Sequence, residues 1–368
     1  MSTKKDKKNY SDKYYMDIAL QLAMSKHGLT GTNPSVGCLI VKDDKIISIG
    51  TTGIGGKPHA ERSAINLSTE PVNGSKMYVT LEPCSHYGKT PPCTNIIIKN
   101  KIKEVIYGVN DIDKKVSGKT KKILEKKNII VKKGILTDKI KEFYKPYFKN
   151  RKKKIPFVTG KIAKTNNDLI YNKKYKKITN IKTDKFSHYL RYKNDMILIS
   201  SKTLNTDNPK LNCRLDGFED FSPTRVILDK NLKINLSSYI VKSAKKVRTL
   251  IFYNNQNKTK IDLLIKNKIK PINVKLDKNQ NLDLLKVLKK LYSEGCRNLL
   301  VEGGNKLTNQ FLEKRLFDKF YLFNNKKNIQ FKDNSIFFKN YLSKLDKFKF
   351  KIDLTNHNDK DKIILYKN

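Results

Sequence analysis

Apolar positions in the first part of the chain alternate between helical and strand spacing. Tyr15, Ile18 and Leu22 recur at the spacing that places side chains on one face of a helix. Apolar runs at residues 36–41 and 46–49 are separated by a short polar turn, a pattern typical of a β-hairpin. The chain is therefore predicted to begin with a helix followed by a hairpin.

The same alternation continues up to about residue 131. Prolines stand at the starts of two of the predicted helices, where the first helical turn tolerates them. Helices and strands in alternation indicate an α/β sandwich, and open sheets of this kind hold ligands where strands end and helices start. Helices are predicted at 60–67, 91–98 and 120–127, and strands at 77–81, 104–109 and 129–131.

The pattern starts again in the second half. Residues 143–154 are predicted to form a basic connector, which places a domain boundary near residue 150. The tail at 348–354 alternates strictly between apolar and polar residues, as a half-buried strand does. A second α/β domain is expected beyond the boundary. Its strands are predicted to start at 155 and to occupy 196–200, 225–229, 249–253 and 299–301, with helices such as 282–292 between them.

Length and composition limit the protein class. With 368 residues the chain can form two domains that each bury a core. The sequence has no apolar run long enough for a membrane span, and its lysine-rich start precedes no apolar segment, so neither a membrane span nor a secretory signal is expected. Cys38, Cys213 and Cys296 show no pairing pattern, which predicts thiols and a cytoplasmic location.

A formal net charge of +44 raises the question of nucleic-acid binding. The lysines are spread through both halves and the few arginines form no patch, so no specific nucleic-acid partner is predicted. A field of this sign would steer small anionic, phosphorylated substrates toward the protein.

Candidate chemistry is concentrated in two short segments. His59, Cys84 and Cys93 are zinc-type ligands, and three of them leave the fourth tetrahedral position for water, whose pKa the metal lowers. Glu61 follows the histidine by two residues and can move protons, as the non-ligand glutamate of zinc deaminases does. These residues predict a hydrolytic zinc deaminase. A structural zinc site with His86 as fourth ligand, or buried cysteines with a surface histidine, are the alternatives.

Residues 81–93, from Leu81 to Cys93, resemble a family motif in which eight residues separate the two cysteines, whereas ordinary nucleobase deaminases keep two. The family is the bifunctional riboflavin-biosynthesis deaminase/reductase, and residues 33–37 also resemble its N-P-x-V-G substrate loop. The resemblance implies a cytidine-deaminase-like α/β/α zinc domain over 1–150. It also implies that Asn33, His86 and Lys89 position the pyrimidine and its phosphate.

The second half carries further matches to this family. The turn at 302–304 could by itself be a tight turn or a backbone approach to phosphate. It resembles the family's V-E-G-G, and 161–163, 203–209 and 211–214 resemble its K-x-A, T-V-x-x-D-x-P loop and L-x-x-R segments. The resemblance implies a dihydrofolate-reductase-like α/β domain over 151–368. It assigns NADPH binding to Ala163, Lys177, Thr203, Asp207, Gly303 and Gly304, and binding of the phosphoribosyl substrate to Arg191, Leu211, Arg214 and Glu302.

The chain departs from the family pattern at three places. Residues 165–168 replace the family's S-L-D-G, and Lys177 stands where a tryptophan would stack near the nicotinamide. Thr52 occupies the position of a substrate-binding histidine. The first two departures concern reduction and the third concerns deamination.

The resemblance implies a riboflavin-pathway enzyme that uses Zn²⁺ and NADPH. It would deaminate 2,5-diamino-6-(5-phosphoribosylamino)pyrimidin-4(3H)-one and then reduce the ribosyl chain to ribityl. One alternative is a deaminase whose second domain is degenerate, and another is a basic nucleic-acid-binding protein or RNA-editing deaminase. The expected partner is a small phosphorylated pyrimidine, and homo-oligomerisation is left open.

Overall fold

The chain divides into two compact units, Met1–Lys153 and Lys154–Asn368. The computed structural model describes residues 11–88, 90–113, 116–171, 178–328, 335–339, 341–355 and 361–368. Within these segments no helix has the length and apolar character needed to cross a membrane.

The first unit is a five-stranded sheet covered by helices, in the strand order β2-β1-β3-β4-β5. The β1–β2 and β1–β3 pairs are antiparallel, and β3, β4 and β5 are parallel. The helices are α1 (Asp12–Ser25), α2 (Ala60–Leu67), α3 (Cys93–Lys99), α4 (Lys119–Glu125) and α5 (Thr137–Lys153). The strands are β1 (Gly37–Lys42), β2 (Lys45–Thr51), β3 (Lys76–Leu81), β4 (Glu104–Val109) and β5 (Ile130–Lys133).

Helix α2 packs against β2 with almost no space between the two backbones. A Cβ atom at Gly50 would collide with backbone atoms of Ala60 and Ala64 on α2. The hydroxyl of Ser48 on the same strand donates a hydrogen bond of 2.6 Å to the Ala64 carbonyl. The start of α2, which carries His59 and Glu61, is therefore held at a fixed height over the sheet.

The second unit is built on a nine-stranded sheet in the order β11-β10-β9-β8-β12-β6-β13-β16-β15. Strands β11 through β13 in this order are parallel, whereas β16 and β15 are antiparallel additions at one side. The strands are β6 (Phe157–Thr165), β7 (Leu169–Tyr171), β8 (Met196–Ser200), β9 (Thr224–Leu228), β10 (Thr249–Tyr253), β11 (Ile269–Asn273), β12 (Asn298–Val301), β13 (Lys319–Asn325), β14 (Ile336–Phe337), β15 (Phe350–Asp353) and β16 (Asp361–Lys367). The helices are α6 (Ile181–Tyr192), α7 (Ser201–Asp207), α8 (Tyr239–Lys242), α9 (Lys258–Lys266), α10 (Leu284–Ser293), α11 (Asn305–Glu313) and α12 (Leu342–Leu345).

Successive residues of the central strands face two different cores, because side chains alternate across a sheet. On β8, Leu198 belongs to one buried cluster and Ile197 and Ile199 to the other. Helices on both faces bury these positions, which explains why the strands appear in the sequence as continuous apolar runs.

Three sequence predictions need correction. Residues 143–154 are helical through Lys153 and belong to α5, whose apolar Ile140 and Tyr144 are buried against the first sheet. The tail does form a strand, β15, but it is the exposed edge of the sheet, and Phe350 is 55% exposed. The predicted loop at 203–209 is helical through Asp207.

Substitution of Gly50 by alanine should destabilise the first unit by about 1–3 kcal/mol, because the added methyl group forces α2 away from β2. Thermal and denaturant unfolding of the full chain would measure the loss. Gly88→Ala is the matched control, since a Cβ atom there meets open space. Equal stability of the two variants would contradict the close-packing argument.

Candidate functional site

The three predicted zinc ligands converge from three different elements. His59 is the N-cap of α2, Cys93 is the first residue of α3, and Cys84 follows β3. The Nδ1 atom of His59 lies 3.6 Å from Sγ of Cys84 and 3.4 Å from Sγ of Cys93. Ligands bound tetrahedrally to zinc at ordinary bond lengths stand about 3.6 Å apart, so the side chains fit this metal.

The protonation of the two thiols is coupled. The hydrogen bond from the Cys93 thiol, with help from His59 and from the Cys93 backbone N–H at 3.2 Å, lowers the pKa of Cys84. The same interaction raises the pKa of Cys93. A lowered pKa at Cys84 favours the thiolate, which is the form in which a cysteine binds zinc.

Glu61 lies in the first turn of α2 and is 4% exposed. Burial, followed by the negative charge of Cys84, raises the pKa of Glu61 to about 7. A carboxyl group with this pKa can both accept and donate a proton near neutral pH. Glu61 lines the same cavity of about 310 Å³ as His59 and Cys84.

The cavity also contains most of the residues predicted to hold the pyrimidine. Asn33 and His86 line it, and among the described residues no hydrogen-bond partner reaches the buried Nδ1 atom of His86. Thr52 lines it as well, and its hydroxyl donates to the Pro34 carbonyl and accepts from the Val36 N–H. The threonine therefore shapes the 33–37 loop where the family carries a histidine. Lys89 lies outside the described residues.

Sequence reasoning missed part of the cavity wall. Asp111, from the loop after β4, accepts hydrogen bonds from the Tyr147 hydroxyl at 3.0 and 3.3 Å, and burial raises the pKa of Asp111. Arg151 lies over the Tyr147 ring at 5.3 Å, and all three side chains line the cavity. The position of Asp111 directly beyond a strand end was the available signal. Tyr147 and Arg151 were missed because residues 143–154 were predicted to be a connector and not a helix.

A second cavity, of about 430 Å³, lies in the second unit. It is reached from the ends of the adjacent strands β6, β8 and β12, where parallel sheets hold ligands. Gly304 is the N-cap of α11, and a Cβ atom at Gly303 would stand 3.1 Å from the Leu307 side chain. A helix start with little side-chain cover suits a phosphate group, so the cavity fits a dinucleotide. It is lined by Ala163, Thr203, Asp207, Gly303 and Gly304, whereas Lys177 lies outside the described residues.

The departure at 165–168 is a well-connected turn between β6 and β7. Asp168 adopts a left-handed conformation, with φ of 62°. Its carboxylate pairs with Lys164 at 2.8 Å and accepts a hydrogen bond of 2.8 Å from the Tyr341 hydroxyl. The Thr165 hydroxyl accepts from the Leu169 N–H at 3.0 Å. These contacts hold the turn without the family's glycine.

Arg191 and Glu302 bind each other. The guanidinium makes a forked pair with the carboxylate at 2.8 and 3.0 Å, and Lys161 lies 3.9 Å from the same carboxylate. Although burial opposes it, the charges of Arg191 and Lys161 hold the pKa of Glu302 at about 2. The two N–H groups of Arg191 that could bind a phosphate together are thus occupied by the Glu302 carboxylate.

The remaining predicted substrate residues lie on the loop 211–214. Leu211 is 3% exposed and has a φ of 54°, a left-handed conformation that costs a leucine about 1–2 kcal/mol. Arg214 is exposed, and its guanidinium donates to the Asn212 side-chain oxygen at 2.9 Å. Such a backbone persists only where neighbouring contacts hold it.

Two families match different parts of the chain. The family described as the cytidine and deoxycytidylate deaminase zinc-binding region matches residues 9–109. The family described as the RibD C-terminal domain matches residues 163–325. The first match contains all three candidate zinc ligands. The second contains the residues that line the second cavity, except Lys161, Ile162 and Ile336.

Relatives resemble the chain over most of its length. The riboflavin biosynthesis protein RibD of Aquifex aeolicus is 34% identical over 314 residues, covering 85% of this chain and 86% of the relative. A diaminohydroxyphosphoribosylamino-pyrimidine deaminase of Buchnera aphidicola is 42% identical over 145 residues, covering 39% of this chain and 99% of that protein.

A similar solved structure comes from Thermotoga maritima, a diaminohydroxyphosphoribosylaminopyrimidine deaminase/5-amino-6-(5-phosphoribosylamino)uracil reductase. It superposes with a TM-score of 0.80 at 30% identity and covers 96% of this chain and 98% of its own. RibD of Acinetobacter baumannii superposes with a TM-score of 0.82 at 26% identity, with the same coverage.

Replacing Cys84 by alanine should reduce bound zinc from about one ion per chain to nearly none, because two ligands hold the metal far less tightly than three. Metal analysis of the purified chain after dialysis would measure this. Cys38→Ala is the control, since Cys38 is a buried thiol of the same unit outside the ligand set. Retention of zinc by Cys84→Ala would remove this residue from the site.

Arg191→Met should destabilise the second unit by about 3–5 kcal/mol, because it leaves Glu302 buried without its fork partner. Arg248→Met is the matched control, because Arg248 pairs with Glu294 at an exposed position and should cost about 0–1 kcal/mol. Denaturant unfolding of both variants provides the comparison. Similar losses in the free energy of unfolding would show that the Arg191–Glu302 pair stabilises the fold no more than an exposed pair does.

Proposed function

The chain belongs to the RibD family of riboflavin-biosynthesis proteins, and from this membership we propose how its two units divide the work. The protein is a bifunctional enzyme of riboflavin biosynthesis, with a deaminase unit and a reductase unit. Its cofactors are Zn²⁺ and NADPH. The observation that supports deamination best is the convergence of His59, Cys84 and Cys93 beside the buried Glu61.

In the first unit, His59, Cys84 and Cys93 would hold the metal. Zinc, when bound, lowers the pKa of a water molecule so that it can attack at neutral pH. Glu61 would take a proton from the attacking water and return it to the ring and the leaving ammonia. Its raised pKa of about 7 supports both transfers.

Substrate positioning would fall to side chains around the same cavity. The Nδ1 atom of His86, which has no hydrogen-bond partner among the described residues, can bond to the pyrimidine. Asn33 already fixes the loop by donating to the Gly56 carbonyl at 2.8 Å. Lys89 would contribute positive charge near the phosphate. The substrate would be 2,5-diamino-6-(5-phosphoribosylamino)pyrimidin-4(3H)-one, hydrolysed at its 2-amino group.

In the second unit, Ala163, Thr203, Asp207 and the 303–304 turn would hold NADPH, which supplies the hydride when bound. Arg214 would bind the substrate phosphate through charge-assisted hydrogen bonds. Arg191 would act on the substrate through Glu302, whose ionised carboxylate it holds in place. Leu211 would support Arg214 from the core. The ribosyl chain of the substrate would be reduced to a ribityl chain.

The alternatives are less well supported. A deaminase with a degenerate second domain does not explain the match of residues 163–325 to the reductase family or the connected turn at 165–168. The chain's likeness to biosynthetic enzymes likewise favours a small phosphorylated pyrimidine over RNA or DNA. We propose the cytoplasm as its compartment, in keeping with buried thiols at Cys38, Cys213 and Cys296. A homo-oligomer remains a proposal.

One preparation of zinc-loaded chain can test both activities by following ammonia release and NADPH oxidation together. Glu61→Gln should retain zinc and lose about 10²–10⁴-fold in ammonia release, because the amide cannot move protons. The same variant should oxidise NADPH at the normal rate when the deaminated intermediate is supplied. Near-normal ammonia release would refute the proton-transfer role.

Wild-type chain that releases ammonia yet oxidises no NADPH with the deaminated intermediate would contradict the bifunctional proposal. Glu70→Gln is a suitable control for the first unit, since Glu70 is exposed and does not line the cavity. It should behave like the wild type in both assays.

A further inference from the structure

His188 is buried next to the substrate loop of the second unit, and none of the roles above uses it. It lies on α6, one turn before Arg191, so the two side chains share a face of that helix. His188 is 4% exposed. A polar ring buried to this extent needs a hydrogen-bonding reason for its place.

The reason is the backbone of the 211–214 loop. The N–H of Arg214 donates a hydrogen bond of 3.1 Å to Nδ1 of His188. Nδ1 also lies 3.2 Å from the Asn212 carbonyl, which accepts from the Arg191 guanidinium at 3.2 Å. Because a backbone N–H can only donate, the bond from Arg214 assigns Nδ1 as the acceptor and the ring as the neutral tautomer with its proton on Nε2.

The electrostatic surroundings favour the same neutral form. Burial, followed by the charges of Arg191 and Arg214, lowers the pKa of His188 to about 4. The ring is therefore an uncharged acceptor at neutral pH. A charged imidazole would lose its lone pair on Nδ1 and would be repelled by the charges of Arg191 and Arg214.

We infer that His188 is a positioning residue for reduction, which fixes the backbone of Arg214 and so directs its guanidinium toward the substrate phosphate. Neighbouring contacts fit this role. The Cys213 thiol donates to the His188 carbonyl at 3.7 Å, and the Cys213 N–H donates to the Ser222 hydroxyl at 3.1 Å. The loop is thus attached to α6 on one side and to a second loop on the other. The inference rests on the proposed function, because it takes Arg214 as the phosphate-binding residue.

The test compares His188→Leu with His188→Asn in the full zinc-loaded chain. Leucine removes the acceptor, whereas the asparagine side-chain oxygen can stand where Nδ1 stands and accept the Arg214 N–H. His188→Leu should raise the KM for the deaminated substrate between about fivefold and a hundredfold, because a buried donor loses its partner. The KM for NADPH and the rate of ammonia release should not change. His188→Asn should recover most of the loss.

Ser187→Ala is the matched control, because Ser187 is a buried neighbour on α6 whose hydroxyl donates a hydrogen bond within the helix, to the Thr183 carbonyl. It should leave the KM for the substrate unchanged. A normal KM in His188→Leu would overturn the inference. An equal rise in His188→Leu and His188→Asn would also overturn it, since it would show a packing role without an acceptor role.

Hydrogen exchange at the Arg214 amide provides a readout that needs no activity. Exchange should be faster in His188→Leu than in the wild type and slow again in His188→Asn. Unchanged exchange would contradict the hydrogen bond itself. If the exchange pattern holds but wild-type chain fails to oxidise NADPH, the proposed reductase function is wrong while the link between His188 and Arg214 stands.

Discussion

Three ligand atoms from three separate elements can share one metal ion only if their backbones are fixed to within about half an ångström. The first unit meets this requirement by direct packing of main chain on main chain. Gly50 lets α2 rest on the sheet, and the Cys93 N–H reaches the Cys84 sulfur at the start of α3. The buried carboxylate of Glu82 accepts from the backbone N–H groups of Asp111, Gly118 and Thr120 and so holds another part of the cavity wall. The positions of the proton-transfer group and of the substrate cavity follow from this frame.

Each unit contains a buried glutamate, and the pKa values of the two are shifted in opposite directions. Around Glu61, burial and the charge of Cys84 outweigh the opposing charge of His59, so the pKa of this carboxyl group rises into the range where protons move. Glu302 is buried as well, yet Arg191 and Lys161 keep it ionised at any physiological pH. The first arrangement suits acid–base chemistry, and the second suits a fixed charge that orients other groups. The same residue type thus serves two kinds of chemistry because its neighbours differ.

The sequence predicted the convergence of His59, Cys84 and Cys93 and many of the strands, because ligand chemistry and buried apolar runs leave local signals. Strands 196–200 and 249–253 were predicted with their observed bounds. The connector prediction failed because Pro146 interrupts the helical pattern and many lysines of α5 mask a buried face of ordinary helical spacing. The tail alternates correctly, but alternation cannot show whether another layer covers a strand. The Arg191–Glu302 pair joins residues 111 positions apart, so no local pattern could reveal it.

Helix α5 determines where the first unit of the chain ends. It contributes Tyr144 to the core and Tyr147 and Arg151 to the cavity wall, and it runs to Lys153, the last residue of the first unit. The deaminase unit is therefore complete only when this helix is included to its end. A separation of the two activities into two polypeptides, by gene fission or by engineering, has to cut after the helix, because a cut inside the lysine-rich stretch would open the active-site cavity to solvent.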